Sequence, residues 1–77
     1  MSNIQFVLYS TLNCHLCEDA EHLLKQTNIK WQAIEIVDND ELLKLYEIRI
    51  PVLHNCLTKA ELYWPFNLTD VVNFSKH

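Results

Sequence analysis

The first half of the chain carries a strand–helix–strand pattern, with two cysteines where the first strand meets the helix. Residues 4–9 are almost continuously apolar, which is typical of a strand buried on both faces of a sheet. Residues 31–37 form a second apolar, β-branched segment. Between them, a spacing of three and four predicts a helix whose buried face contains Leu16, Ala20, Leu23, Leu24 and Thr27. A helix that joins two such strands indicates a parallel pair with a right-handed crossover.

The middle of the chain predicts a short helix and a β-hairpin. Residues 38–40 supply a turn and an N-cap for a helix over Asp40–Tyr46, whose apolar side contains Leu42, Leu45 and Tyr46. Pro51 opens a short strand at residues 52–54, and residues 61–64 form its antiparallel partner.

A capping-box spacing marks the start of the last helix. Asn67 and Asp70 lie three positions apart, and one face of the helix then contains Leu68, Val71, Val72 and Ser75. The predicted order is β-α-β-α-β-β-α, which is an α/β fold with a four-stranded mixed sheet and three helices. A length of 77 residues allows one compact core, so residues 1–77 are predicted to form a single domain.

The chain contains no glycine. Turns that need a positive φ angle must therefore use residues that tolerate the left-handed region, of which Asn and Asp are the best. Four such residues lie where a chain reversal or a helix end is predicted, namely Asn28, Asp38, Asn39 and Asn55.

Composition excludes several functional classes. The net charge is −4 and the six Lys and Arg residues are scattered, which argues against nucleic-acid binding. No apolar run approaches the length of a membrane span, and residues 1–3 lead without a basic stretch into the first strand. Three cysteines cannot form a fully paired secreted scaffold. We therefore expect a cytoplasmic protein that binds neither membrane nor nucleic acid.

The segment Cys14-His15-Leu16-Cys17 has the spacing of a dithiol redox motif. Cys14 lies where unpaired helix N–H groups favour a thiolate, so we predict that it is the nucleophile. Cys17, one turn later, is close enough to resolve a mixed disulfide. A protonated His15 would lower the pKa of Cys14. The presence of His15 is explained equally well if it is an exposed histidine without a role. The acidic side chains that follow the motif oppose this effect.

Three segments resemble the glutaredoxin-like branch of the thioredoxin superfamily: Leu8-Tyr9-Ser10-Thr11, the Cys14–Cys17 motif, and Arg49-Ile50-Pro51-Val52. The resemblance covers about residues 4–75 and is strongest to short glutaredoxin-like proteins that combine C-H-L-C with R-I-P-V. It implies a thioredoxin-like fold in which Pro51 follows a cis peptide bond and packs against the cysteines. It also implies that the Ile50 backbone pairs with an incoming peptide or glutathione. The implied substrate-binding residues are Ile50, Pro51, His15 and Leu16.

The sequence departs from glutathione-dependent members at three positions. Thr11 replaces a basic residue, His15-Leu16 replaces a Pro-Tyr pair, and Trp64-Pro65-Phe66 replaces a Gly-Gly element. These departures argue against dependence on glutathione. The prediction is a monomeric thiol–disulfide oxidoreductase with no bound cofactor and no metal. It would act on a disulfide-containing protein or a small thiol substrate, and glutathione or another external thiol would regenerate it.

Two alternatives compete with this prediction. One is a metal-binding protein, with the ion held either by Cys14, Cys17, His54 and Cys56 together or by the Cys14 and Cys17 thiolates alone. Because Cys56 lies five residues beyond Pro51 in a strand, it would be roughly 16 Å from the other cysteines, which argues against a shared ion. The other is a non-enzymatic module that binds a partner through residues 63–66. We expect instead that Trp64 and Phe66 close the core, and that Tyr9 and Tyr46 are core aromatics.

Overall fold

The computed structural model describes residues 4–76. Residues 1–3, which contributed to the predicted localisation, and residue 77 lie outside this range. The elements are β1 (Phe6–Ser10), α1 (His15–Leu24), β2 (Trp31–Glu35), a short 3-10 helix (Ile36–Asp38), α2 (Asp40–Tyr46), β3 (Val52–Asn55), β4 (Glu61–Tyr63) and α3 (Leu68–Ser75). The predicted order of strands and α-helices is confirmed. β2 is shorter than predicted because the Glu35 side chain accepts the Val37 N–H and starts the 3-10 helix.

The four strands form one mixed sheet in the order β2-β1-β3-β4. β1 is parallel to β2 and antiparallel to β3, and β3 is antiparallel to β4. Tyr9 pairs with Val52, so the end of β1 that leads to Cys14 lies beside the beginning of β3 that follows Pro51. The topology therefore brings the cysteine loop and the proline loop to the same edge of the sheet.

Apolar side chains cover both faces of the sheet, as the continuous apolar character of β1 predicted. Against α1 and α3 lies a core of Phe6, Leu8, Ala20, Leu24, Leu53, Phe66 and Val71. On the opposite face, α2 covers a smaller core of Ile36, Tyr46 and Val52. The larger core holds α1 and α3 against one face of the sheet, and the smaller core holds α2 against the other.

The predicted helix faces are wrong at several positions. Leu16, Leu45, Leu68 and Val72 are exposed rather than buried. α1 ends at Leu24, so Thr27 lies beyond the helix, and the buried stripe of α1 is Cys17, Ala20 and Leu24. A short helix that packs on one sheet buries only a narrow stripe, so apolar residues at the margins of the predicted face stay in solvent.

The four positions predicted for positive φ are also wrong. Within residues 4–76, positive φ occurs at Asn13 and Lys59. Asn39 caps α2 instead, and its φ is −141° because a capping side chain requires extended backbone. Asn55 uses its side-chain oxygen to accept the Leu57 and Thr58 N–H groups of the β3–β4 turn.

The predicted capping box of α3 is confirmed. The Asn67 Oδ1 accepts the Asp70 N–H at 2.8 Å, and the Asp70 Oδ2 accepts the Asn67 N–H at 3.0 Å. Both bonds satisfy N–H groups that the first helical turn leaves without backbone partners. Across residues 4–76, every helix is too short or too polar to span a bilayer.

Candidate active site

Cys14 is the N-cap residue of α1, and Cys17 lies one turn into the helix. The Cys14 Sγ accepts the Cys17 N–H at 3.2 Å, and the two Cα atoms of this disulfide-bonded pair are 5.2 Å apart. Cys14 is half-buried, whereas only 1% of the Cys17 surface is exposed. The first cysteine of the pair is therefore partly exposed, whereas the second is shielded from solvent.

Glu35 holds the loop that leads into Cys14, and sequence reasoning missed this role. Its Oε1 accepts the Leu12 N–H at 2.9 Å, and its Oε2 accepts the Val37 N–H at 3.1 Å. Hydrogen bonds from the Thr11 hydroxyl and then from these N–H groups hold the pKa of Glu35 below its usual value. The parallel register of β1 and β2 could have indicated this role, because Glu35 pairs with Ser10 at the last position of β1.

An open cavity of about 480 Å³ lies beside the motif, and we call it the Leu16 groove. It is lined by Leu16, Ile48, Arg49, Ile50, Tyr63 and Trp64. Two predicted substrate-binding residues, Leu16 and Ile50, therefore line the same groove although they are far apart in the sequence. The groove is mostly apolar, which suits an extended segment of a polypeptide.

The predicted residue Pro51 is fully buried, and the Ile50–Pro51 peptide bond is cis, as is Trp64–Pro65. The Ile50 N–H already donates to the Tyr46 carbonyl at 3.1 Å. This backbone donor is therefore already paired within the protein.

His15 does not join the groove in this structure. Its side chain is 86% exposed, and its Nε2 lies 3.9 Å from the Asp19 Oδ2 one turn later. An exposed pair of this kind is weak. The role of His15 toward Cys14 or a substrate remains a prediction from the motif.

In the aromatic segment at residues 63–66, Trp64 and Phe66 close the core, as predicted. Phe66 is buried in the core against α1 and α3, and Trp64 is half-buried against the same core. The two rings meet edge to face with centroids 5.0 Å apart. Trp64 thus has one side in the core and another on the Leu16 groove.

A partly buried polar cluster lies beside the Tyr63 side of the groove, on the face of the sheet that α2 covers. We call it the Glu61 cluster, and it consists of Glu61, Tyr46, His54 and Tyr63. The Glu61 Oε2 accepts the Tyr46 hydroxyl and lies 3.0 Å from the His54 Nδ1, while Oε1 accepts the Tyr63 hydroxyl at 2.7 Å. Tyr46 also stacks on Tyr9, with centroids 4.4 Å apart. Tyr9 and Tyr46 are therefore packed aromatics as predicted, but Tyr46 has a polar function as well.

The cluster shifts the acidity of its members. Burial alone would raise the pKa of Glu61, but hydrogen bonds from Tyr46, Tyr63 and His54 outweigh it and lower that pKa. Burial and then the bond to Glu61 raise the pKa of Tyr46. The bond to Glu61 is the main reason that the pKa of Tyr63 is raised. The sequence pattern contained no motif for this cluster, because its members come from α2, β3 and β4.

We predict a pH effect on stability from Glu61. Its pKa is lower in the folded than in the unfolded chain, so its stabilising contribution is complete above about pH 4.5 and is lost as pH falls through the folded value. The Glu61→Gln variant should be less stable than the parent at neutral pH, and this difference should shrink below about pH 4.5. Urea unfolding between about pH 7 and about pH 3 measures it.

The exposed Glu47→Gln is the control, because its carboxylate receives none of these donors. A stability difference for Glu61→Gln that stays constant across the acidic range would contradict the assignment.

The four-ligand metal alternative has no geometric support. Among residues 4–76, no three His, Cys, Asp or Glu side chains are grouped so that they could hold a metal ion. The Cys56 N–H donates to the Gln5 carbonyl at 2.8 Å, which places Cys56 at the end of the sheet opposite Cys14. His54 is turned toward Glu61.

The chain is similar to known proteins along almost its whole length. The family model described as glutaredoxin-like domain (DUF836) matches residues 5–74. The crystal structure of structural genomics target XcR50 from X. campestris superimposes with a TM-score of 0.85 at 30% identity, covering 92% of this chain and 95% of that one. Protein Ne2328 from Nitrosomonas europaea gives a TM-score of 0.71 at 29% identity, with 97% and 93% covered.

A more distant match concerns the fold alone. The holo form of glutaredoxin C1 from Populus tremula x tremuloides superimposes with a TM-score of 0.59 at 17% identity, covering 97% of this chain and 77% of that one. None of the curated proteins matches the chain. The predicted thioredoxin-like architecture, with its mixed four-stranded sheet and three helices, is confirmed.

Proposed function

The chain belongs to the glutaredoxin-like domain family of the thioredoxin superfamily, and from this membership and the cysteine geometry we propose that it is a thiol–disulfide oxidoreductase acting through Cys14 and Cys17. The observation that carries the proposal is the asymmetry of the pair. A half-buried cysteine caps a helix N-terminus, and a fully buried cysteine lies one turn behind it. Helix N–H groups and the helix dipole stabilise a thiolate at the first position, which makes Cys14 the nucleophile.

The proposed reaction has two exchange steps. The reduced Cys14 thiolate attacks one sulfur of a substrate disulfide, the substrate S–S bond breaks, and the departing thiolate takes a proton. The Cys17 thiol then loses its proton and attacks the Cys14 sulfur, which releases the second substrate thiol. Two electrons have moved to the substrate, and the protein holds the Cys14–Cys17 disulfide. The bond observed between these residues corresponds to that oxidised state.

The Leu16 groove supplies the proposed substrate site. Its lining is largely apolar and it adjoins the motif through Leu16, so an extended segment that flanks a substrate cysteine would lie along it. The Ile50 carbonyl would accept a backbone N–H from that segment. His15, next to Cys14, completes the proposed contact surface.

An external thiol must return the disulfide to the dithiol. We place the cycle in a reducing compartment such as the cytoplasm, with a monomer acting on a protein disulfide or a small thiol substrate and with no bound cofactor. Dependence on glutathione is not part of the proposal. Thr11 stands where relatives that use glutathione have a basic residue, and Trp64 is packed between core and groove.

The reduction potential of the Cys14–Cys17 couple tests this function. We expect full two-electron equilibration with thiol buffers and a potential near that of thioredoxin, about −270 mV, if the protein is a reductase. The measurement is the fraction of disulfide at each buffer potential, by mass after alkylation. A pair that does not exchange with either glutathione or thioredoxin buffers would refute the proposal.

A non-enzymatic partner-binding function is the second candidate, because Ile48 in the groove is 89% exposed. A large apolar side chain in solvent is a common contact in protein interfaces. Binding without chemistry would persist when both cysteines are replaced by serine, whereas the oxidoreductase would lose turnover.

A further inference from the structure

The loop that forms one wall of the Leu16 groove is attached to the last residue of α2. The Tyr46 carbonyl accepts the Arg49 N–H at 2.8 Å and the Ile50 N–H at 3.1 Å. These two bonds cap the helix and fix the segment that carries Ile48, Arg49 and Ile50 along the groove. The position of this wall therefore depends on where Tyr46 is held.

Tyr46 is held by its side chain as well as by the helix. Its hydroxyl donates to the Glu61 Oε2, and its ring stacks on Tyr9 at 4.4 Å. Glu61 belongs to β4, whose backbone pairs with β3, so the bond ties the end of α2 to the sheet. A buried bond to an ionised acceptor is stronger than one between neutral groups.

The same carboxylate also holds a second wall of the groove. The Tyr63 hydroxyl donates to the Glu61 Oε1 at 2.7 Å, and Tyr63 lines the groove directly. Glu61 itself does not line the groove and is only 18% exposed. One side chain that does not touch the substrate site thus determines the position of two of its walls.

We propose that Glu61 is a positioning residue for substrate binding: through Tyr46 and Tyr63 it holds the Ile48–Ile50 loop and the Tyr63 ring at the spacing that a disulfide-bearing polypeptide segment requires. The proposal rests on the disulfide exchange proposed above. It concerns binding and not the chemistry of the sulfurs, because the partners observed for the Cys14 Sγ are the Cys17 N–H and the Cys17 sulfur.

The Glu61→Gln variant tests the proposal with nearly unchanged side-chain volume. The amide nitrogen that replaces one oxygen cannot accept a hydrogen bond, so one group of donors loses its acceptor. With a cyclic disulfide peptide as substrate and dithiothreitol as reductant, we expect KM to rise roughly five- to tenfold. We expect kcat and the pKa of the Cys14 thiol to stay unchanged, because the interaction acts on binding.

A second measurement reports the same positioning without any turnover. Amide hydrogen exchange of Arg49 and Ile50 should accelerate in Glu61→Gln, because these N–H groups bond to Tyr46, while exchange in α3 should not change. If the parent protein does not reduce disulfides, the proposed function fails, but this exchange pattern still decides whether Glu61 holds the loop.

Two variants separate positioning from general loss of stability. Asn67→Ala removes the capping box of α3 and should destabilise the protein while leaving KM and the exchange of Arg49 and Ile50 unchanged. Tyr63→Phe removes the hydrogen bond from the Tyr63 hydroxyl to Glu61 and keeps the bond from Tyr46, so it should raise KM less than Glu61→Gln does. An unchanged KM in folded Glu61→Gln would overturn the proposal, as would a rise in KM matched by Asn67→Ala. A loss confined to kcat would also overturn it.

Discussion

Replacing Cys14 by serine is expected to abolish disulfide reduction, with a loss of at least roughly a thousandfold. The thiolate is the attacking species, and a serine hydroxyl at the same N-cap position stays protonated at neutral pH. The hydroxyl is also a good N-cap, so α1 should keep its stability. The measurement is the initial rate of reduction of a disulfide peptide, with thermal unfolding to show that the variant is folded.

Cys17→Ser is the matched control for this prediction. Because Cys14 remains, the first exchange should proceed and the mixed disulfide should accumulate, with a mass increase equal to the attached substrate thiol. Residual turnover in Cys14→Ser, or trapping of substrate on Cys17 instead of Cys14, would reverse the assigned roles.

Replacing Leu53 by alanine should have the largest effect on stability, a loss of about 3 kcal/mol in the free energy of unfolding. Leu53 is 0% exposed, lies in the second strand from the edge, and pairs with Leu8 and Leu62 on its two sides. A chain of 77 residues has a total stability of only about 4 to 11 kcal/mol. The variant should therefore unfold at a melting temperature lower by roughly 10 °C or more.

Leu57→Ala makes the same chemical change in the β3–β4 turn, where the side chain is 76% exposed. It should alter the free energy of unfolding by less than about 0.5 kcal/mol. Urea titrations of both variants provide the comparison. Similar losses at the two positions would mean that burial in the sheet does not explain the effect at Leu53.

Local patterns in the chain were sufficient to predict the order of the strands and helices. The capping box of α3 and the bounds of α2 depend on side chains within a few residues of one another, and both are confirmed. The placement of Cys14 and Cys17 at the start of a helix follows from the same local spacing. Long-range geometry contributes little to such features, so they can be predicted without it.

Predictions that depend on how the elements pack were less successful. Leu16 was expected on the buried face of α1 and instead lies on the groove, since the sheet contacts only the stripe of Cys17, Ala20 and Leu24. Positive φ occurs at Asn13 and not at the predicted positions. Asn39 has extended backbone because its side chain caps α2. The positive φ occurs instead at Asn13, directly before the N-cap of α1. Which apolar side chains are buried and which residues take positive φ depend on how the elements pack, because several arrangements are possible locally.

The sequence by itself determined that a dithiol pair stands between a buried strand and a helix, because strand burial, helix periodicity and cysteine spacing are all short-range properties of the chain. Only the tertiary structure decided what surrounds that pair. Glu35 reaches the cysteine loop through the parallel register of β1 and β2, and Glu61 reaches two walls of the groove through Tyr46 of α2 and Tyr63 of β4. The Glu35–Leu12 and Glu61–Tyr46 contacts join residues that are far apart in sequence, and contacts of that kind exist only after the sheet has brought the elements together.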